Sequence, residues 1–436
     1  MGIHFSSANK EILRLAIPSV FANITVPLVG IVDLAVAGRL GDASMIGGVA
    51  IATMLFDLLY WNMGFLRVGT GGMIAQAYGA KDYRGVMRLF SQGAITALGF
   101  ALLILAIQYL FIDVAFSLIT CSSKVELLAR EYFFVRIWAA PATISIYVFK
   151  GFFIGMQNAI SPMVIDITVN LVNFVACLFF AVKMEMGFSG IALGTVLAQY
   201  TGLILSISLL LFNYKWLLKF IDIRGCFKIE HFKRFFSVNS NLFIRSICFL
   251  FIYTGFTSLS AKYGDAVLAE STIMMKLMML YTYLIDGFAF AGEALTGRFI
   301  GARDSESLQK LLKLIFKWSL FIVIISTIVY VAAGTPLIRM MTANEEVISG
   351  TRKFLPWLWI MPVFSCMAFI WDGIYIGATA TKSVMLSILW SVLSFFAVYY
   401  SLRGLWGIHA LFVAYMAHLL VRGLYLTYMA KSKIVV

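Results

Sequence analysis

Asp33, Lys150, Asp166, Arg245, Lys276, Asp286 and Asp372 all stand inside long hydrophobic runs. A charge at the centre of a membrane helix costs roughly 2.5–3.5 kcal/mol even on the forgiving insertion scale. Seven amount to roughly 20 kcal/mol, more than the usual net stability of about 5–15 kcal/mol. Most must therefore pair, line a wet cavity, or carry no charge. The chemistry open to such groups is reversible protonation or cation binding.

Asp33 is the sharpest candidate. It follows Pro27 in Val26-Pro-Leu-Val-Gly-Ile-Val-Asp33, and a proline removes the backbone bond to the carbonyl four residues earlier, here that of Asn23, and kinks the helix. A lone carboxylate beside a flexible point is poised to couple protonation to bending and to release of a cation. The alternative is a structural ion pair, with Lys150 the obvious partner. One helix face carries Asp166, Asn170, Asn173 and Cys177, all within about 60° of one another at about 100° per residue. That stripe serves either as a cavity lining or as polar glue between helices. Asp286 and Glu293 are seven apart and share a face, and Arg245 is placed to neutralise Asp286 or Asp372.

The elements that must position these residues are membrane helices. Of 436 residues, 61% are hydrophobic and only 13% charged, against roughly 45–50% and about 25% in a soluble domain. Twelve apolar stretches approach or exceed the roughly 20 residues a spanning helix needs: 12–37, 46–77, 89–113, 132–157, 162–182, 188–213, 236–260, 266–297, 318–338, 354–378, 383–402 and 405–430. They are apolar on nearly every face, which excludes the alternating pattern of a membrane barrel. The expected fold class is all-α integral membrane.

The chain is also written twice. Ala75-Gln-Ala-Tyr-Gly79-Ala-Lys-Asp82 answers Gly297-Arg-Phe-Ile-Gly301-Ala-Arg-Asp304, and Gly151-Phe-Phe-Ile-Gly155 answers Gly373-Ile-Tyr-Ile-Gly377, both 222 residues apart. Each copy holds six helices, an even number, so the repeat is parallel and a pseudo-twofold axis runs along the membrane normal. The expected division is an N-lobe over 1–213, a cytoplasmic linker over 214–235 and a C-lobe over 236–436. The linker reads either as an interfacial helix, with Trp216, Leu217 and Phe220 on one side, or as a solvated loop. At the same offset Lys150 answers Asp372, while Asp33 has no charged counterpart.

The net charge of +13 is read as topology rather than nucleic-acid binding. Nineteen Lys/Arg fall in segments expected inside and nine in those outside, which puts both termini in the cytoplasm. Five single cysteines and four histidines support neither a disulfide framework nor a metal cluster. The chain holds no ATP-binding GxxxxGK[ST] element and no nucleophile–base constellation in a soluble segment. An enzyme is disfavoured, no cofactor is expected, and movement of a solute would run on an ion gradient or downhill, unless a separate subunit supplies the energy.

Pro27 to Gly41, Arg67 to Asp82, and Asp286 to Ala294 with Gly301-Ala-Arg-Asp304 and Asp372 to Ala378 resemble the multidrug and toxic compound extrusion (MATE) family, and within it the DinF-like branch. The resemblance spans essentially the whole chain. It implies a V-shaped pair of six-helix lobes in the cell (inner) membrane, acting as a monomer that exports amphipathic, often cationic organic compounds in exchange for H⁺ or Na⁺. Asp33 matches the family's cation-coupling carboxylate, and Asn173 and Thr195 match polar positions of the same lobe. Two departures stand out: Cys177 replaces an acid of the fifth-helix pattern, and Lys150 stands where some members carry a neutral polar residue. They put a two-carboxylate proton site in doubt and leave Lys150 to respond to Asp33 as a charge switch. A flippase for a lipid-linked precursor is the alternative within the wider superfamily.

Overall fold

A computed structural model describes residues 5–25, 27, 30, 32–33, 36–37, 43–119 and 121–434. A backbone in hydrocarbon must satisfy its own polar groups, and the apolar runs accordingly form helices: α1 (Phe5–Thr25), α2 (Ala43–Met63), α3 (Phe65–Gly79), α4 (Tyr83–Leu118), α5 (Ser123–Arg136), α6 (Ala140–Gly155), α7 (Ile160–Cys177) and α8 (Gly187–Tyr214). The second half continues with α9 (Ile229–Ala261), α10 (Asp265–Gly301), α11 (Ser305–Met341), α12 (Glu345–Arg352), α13 (Leu355–Gly377), α14 (Thr381–Trp406) and α15 (His409–Lys433). Among the described residues, 11 segments are long and apolar enough to cross a membrane, α2 with α3 and α5 with α6 each counting as one. The first expected span, 12–37, runs through α1 into residues that lie partly outside the described ones. The fold is the all-helical, multi-pass membrane bundle that the sequence implies.

Several helices start earlier than their apolar runs: α4 at 83 instead of 89, α5 at 123 instead of 132, and α11 at 305 instead of 318. Hydropathy marks the part buried in lipid, whereas the cap marks where the helix begins. Asp82 accepts from the Gly85 amide at 2.8 Å, Ser122 from Val125 at 3.4 Å, and Asp304 from Ser307 at 2.9 Å. Asp304 lies between spans, and the hydroxyl and backbone amide of Ser307 hold its carboxyl below the usual carboxylate range.

The repeat is visible as backbone packing. Gly151 lies against the Arg67 carbonyl and Gly155 against that of Gly71, while Gly373 lies against Ala289 and Gly377 against Glu293. Each member of the second set is 222 residues beyond its counterpart. A Cβ at any of these positions would meet a main-chain oxygen, which no rotamer change can move aside. The helix-ending turns repeat too: Lys81 and Arg303 have φ of 57° and 56°, Gln157 and Thr379 of 64° and 55°.

The chain divides into two compact units. One contains 236–436 together with residues up to Asn23 and the segment Ala75–Lys81; the other contains 24–74 and 82–235, which includes the linker. The segment at 75–81 joins the first unit because Gly79 and Gly301 pack reciprocally, Gly79 against the Arg298 carbonyl and Gly301 against that of Gln76. In the same unit Arg298 Nη2 pairs with Glu11 at 2.5 Å.

Candidate functional site

Where a kink was expected at Pro27, the described residues show the first span interrupted. α1 ends at Thr25, Pro27 lies in a turn, and Gly30, Val32 and Asp33 are again helical. A broken helix leaves carbonyls without intrahelical donors, and Asn170 Nδ2 donates to the Thr25 carbonyl at 3.2 Å. The polar stripe of α7 thus reaches back to the break.

Asp33 is completely buried. Its carboxylate accepts from the Tyr132 hydroxyl, from Asn173 Nδ2 at 3.2 Å, and from Thr195 Oγ1 at 3.1 and 3.3 Å; Cys177 Sγ stands 3.5 Å away. Arg136 Nη1 lies 3.7 Å from the same carboxylate and donates to Tyr132 Oη at 3.0 Å. The Arg136 guanidinium is seated 4.7 Å from the centre of the Phe56 ring. This arrangement depends on small residues: a Cβ on Gly194 would strike Cys177, and one on Gly190 the Ala181 backbone. α7 and α8 therefore approach closely enough for Asn173, Cys177 and Thr195 to share one carboxylate. Just beyond Cys177 the backbone widens into a π-helical stretch, Leu178–Lys183, of the kind often found at functional positions.

Two hydroxyl-type groups in this cluster have a choice of acceptor. Thr195 Oγ1 and Cys177 Sγ each lie 3.3 Å from the Ile191 carbonyl as well as beside Asp33. Either can turn its proton from the carboxylate to that carbonyl, leaving its own lone pairs to accept from Asp33 if Asp33 is protonated. Asn173 Nδ2 and Arg136 can only donate.

Asp33, Asn173, Cys177 and Thr195 are thus brought together, and Lys150 is not among them. Lys150 pairs with Asp166, both side chains about 15% exposed. The expectation that Lys150 answers Asp33 is corrected: the neighbouring helix supplies Lys150 with its own carboxylate, and Arg136 with Tyr132 serves Asp33. Asn170, one turn beyond Asp166, donates to the Asp166 carbonyl at 2.8 Å. Tyr132 and Arg136 were missed from the sequence because they fall at the start of an expected span, where charge and phenol read as interfacial.

In the second half Asp372 is the hub. Arg245 pairs with it directly, and Arg422 Nη2 lies 3.2 Å away, 1% exposed. Both guanidinium groups lie 4.9 Å from the Phe249 ring centre. Asp372, one of the two partners considered for Arg245, pairs with it; Arg422 was not anticipated. Glu293 is buried and Asp286 half-buried. Lys276, expected among the buried charges, stands exposed on the surface of α10.

A multi-pass helical bundle with a duplicated scaffold and a sequestered carboxylate in one half defines a membrane transporter. The family model described as MatE matches residues 18–179 and 242–400. DNA damage-inducible protein F of Escherichia coli is 32% identical over 423 residues, covering 96% of this chain and 91% of that protein. Human multidrug and toxin extrusion protein 1 is 22% identical, covering 87% of this chain and 66% of its own length. The Vibrio cholerae MATE transporter VcmN in the bent form superposes with a TM-score of 0.85 at 15% identity, covering 98% of both chains. The chain belongs to the MatE family of transporters.

Proposed function

We propose that the protein is a secondary active exporter of amphipathic, often cationic organic compounds, drugs and toxins among them, and that it exchanges them for inward H⁺ by alternating access. The observation that carries this reading is the surroundings of Asp33: among the described residues, the side chains that touch its carboxylate do so as hydrogen donors or as a cation. A Na⁺ ion needs several inward-pointing lone pairs, whereas a proton needs one carboxylate oxygen and neighbours whose hydroxyls can reverse. Thr195 and Cys177 are such neighbours. Protonation discharges Asp33, turns the Thr195 and Cys177 protons toward Ile191, and leaves Arg136 without its counter-charge. That change of bonding next to the Pro27 break is the event that favours bending of the first span.

The protein acts in this reading as a monomer in the inner membrane, both termini in the cytoplasm, without cofactor or nucleic-acid partner. Relatives named for multidrug and toxin extrusion favour organic solutes over a lipid-linked precursor. The test is dye efflux in inverted vesicles under a separately imposed H⁺ or Na⁺ gradient. H⁺-driven transport is expected; transport driven by Na⁺ alone overturns the choice of ion.

A further inference from the structure

The segment joining the two copies of the repeat carries a surface that ion-coupled export does not use. A single turn at Ile223–Cys226 and a 3₁₀ stretch at Lys215–Phe220 are fastened onto α4. Gln92 Nε2 donates to the Cys226 carbonyl at 2.8 Å, Cys226 Sγ lies 3.7 Å from the Arg88 carbonyl, and Tyr83 packs edge-on against Trp216 at 4.9 Å. Leu217, Gly225 and Cys226 are buried by this contact. The segment is therefore a built part of its unit and not a slack tether.

The surface it leaves exposed is apolar and basic at once. Trp216, Ile221, Ile223, Phe227 and Ile229 are exposed, the last three by 61%, 62% and 71%. Between them Lys215, Lys219, Arg224 and Lys228 are exposed as well. From Lys215 to Arg234 there are six Lys/Arg against Asp222 and Glu230. Water accounts for the charges but not for five large apolar side chains beside them. The segment also cannot leave the bilayer boundary, because it runs from the end of one spanning segment, Gly187–Phe220, through residues 221–228 to the start of the next, Ile229–Ala261. Segments of 34 and 33 residues reach about 50 Å, longer than the roughly 30 Å hydrocarbon core, so the ends that the connection joins emerge at headgroup depth.

We infer that this face is a binding surface for anionic phospholipid: Ile223, Phe227 and Ile229 insert among the upper acyl carbons, and Lys215, Lys219, Arg224 and Lys228 hold the headgroup phosphates. Apolar insertion plus electrostatic attraction is the way interfacial segments bind anionic membranes. The segment is then an interfacial strap whose seating depends on the lipid composition around it.

The full-length protein is reconstituted into nanodiscs containing brominated phosphatidylglycerol or brominated phosphatidylcholine, and quenching of Trp216 is obtained as the difference from a Trp216→Phe variant. Stronger quenching by the anionic lipid is expected, at severalfold preference. The triple variant Lys215→Gln/Lys219→Gln/Arg224→Gln alters only exposed side chains and is expected to bring that preference to about one, while Lys431→Gln/Lys433→Gln leaves it unchanged. Equal quenching by the two lipids in the wild type, or an unaltered preference in the triple variant, overturns the assignment. So does displacement of the brominated lipid by millimolar glycerol phosphate, which would mark a site for small soluble anions.

Discussion

Replacing Tyr132 with phenylalanine tests the Asp33 cluster at its least anticipated member. The Tyr132 hydroxyl donates to Asp33 and accepts from Arg136 Nη1 at 3.0 Å, so the substitution removes two charge-assisted hydrogen bonds. Bonds to charged groups contribute about 1.5–3 kcal/mol each, or about 3–6 kcal/mol for two. Arg136 already lies 3.7 Å from Asp33 and can close on it directly, recovering roughly half and leaving a loss of about 2 kcal/mol. The assay is a double-mutant cycle with Arg136→Met, reading the free energy of denaturant unfolding in mild detergent. Because Tyr132, Arg136 and Asp33 form one network, the cycle is expected to show a coupling energy of about 1–2 kcal/mol. Losses that add within about 0.5 kcal/mol would mean that the phenol and the guanidinium serve Asp33 independently, and the description of one network would fail.

Three further outcomes follow from the packing. Lys150→Met strands Asp166 and is expected to cost about 3–5 kcal/mol, while Lys150→Met/Asp166→Leu returns to within about 1 kcal/mol of wild type; a double variant as unstable as the single one contradicts a self-contained pair. Gly151→Val and Gly373→Val each drive a side chain into a main-chain oxygen, so each is expected to lose about 3 kcal/mol or more and to abolish the monodisperse peak in gel filtration. Tolerance at one site alone would break the repeat's equivalence. Asp304→Ala is expected to cost about 1 kcal/mol as a lost helix cap. Since the folded carboxyl is held below its ordinary range, the wild-type advantage is present above the unfolded value and disappears as pH falls through the folded one; an advantage that grows on acidification refutes the cap.

Much of the scaffold was legible in the residues. Hydropathy located the spans because burial in lipid selects composition directly, and the 222-residue offset predicted which glycines would play matching parts. Helix ends were less legible, since caps such as Asp82 and Asp304 lie outside the apolar runs. The partners of buried charges were least legible. Asp33 meets Tyr132 across 99 positions and Thr195 across 162, and nothing in local periodicity encodes such a meeting. The equivalence of Lys150 and Asp372 was readable from the offset, but each takes its opposite charge from a different helix of its half, Asp166 on α7 and Arg245 on α9. Arg422 was passed over because one arginine in a long apolar helix reads as a terminal charge until the carboxylate beside it is seen.

The exchange proposed above rests on Asp33 carrying the coupling proton. Its most direct measurement is gradient-driven dye transport in inverted vesicles by wild type and Asp33→Asn at equal amounts of folded protein, with an imposed H⁺ gradient and no Na⁺. The isosteric amide cannot take up a proton in this role, so transport is expected to fall to the level of empty vesicles while dye binding survives. Unchanged H⁺-driven transport by Asp33→Asn would contradict the account.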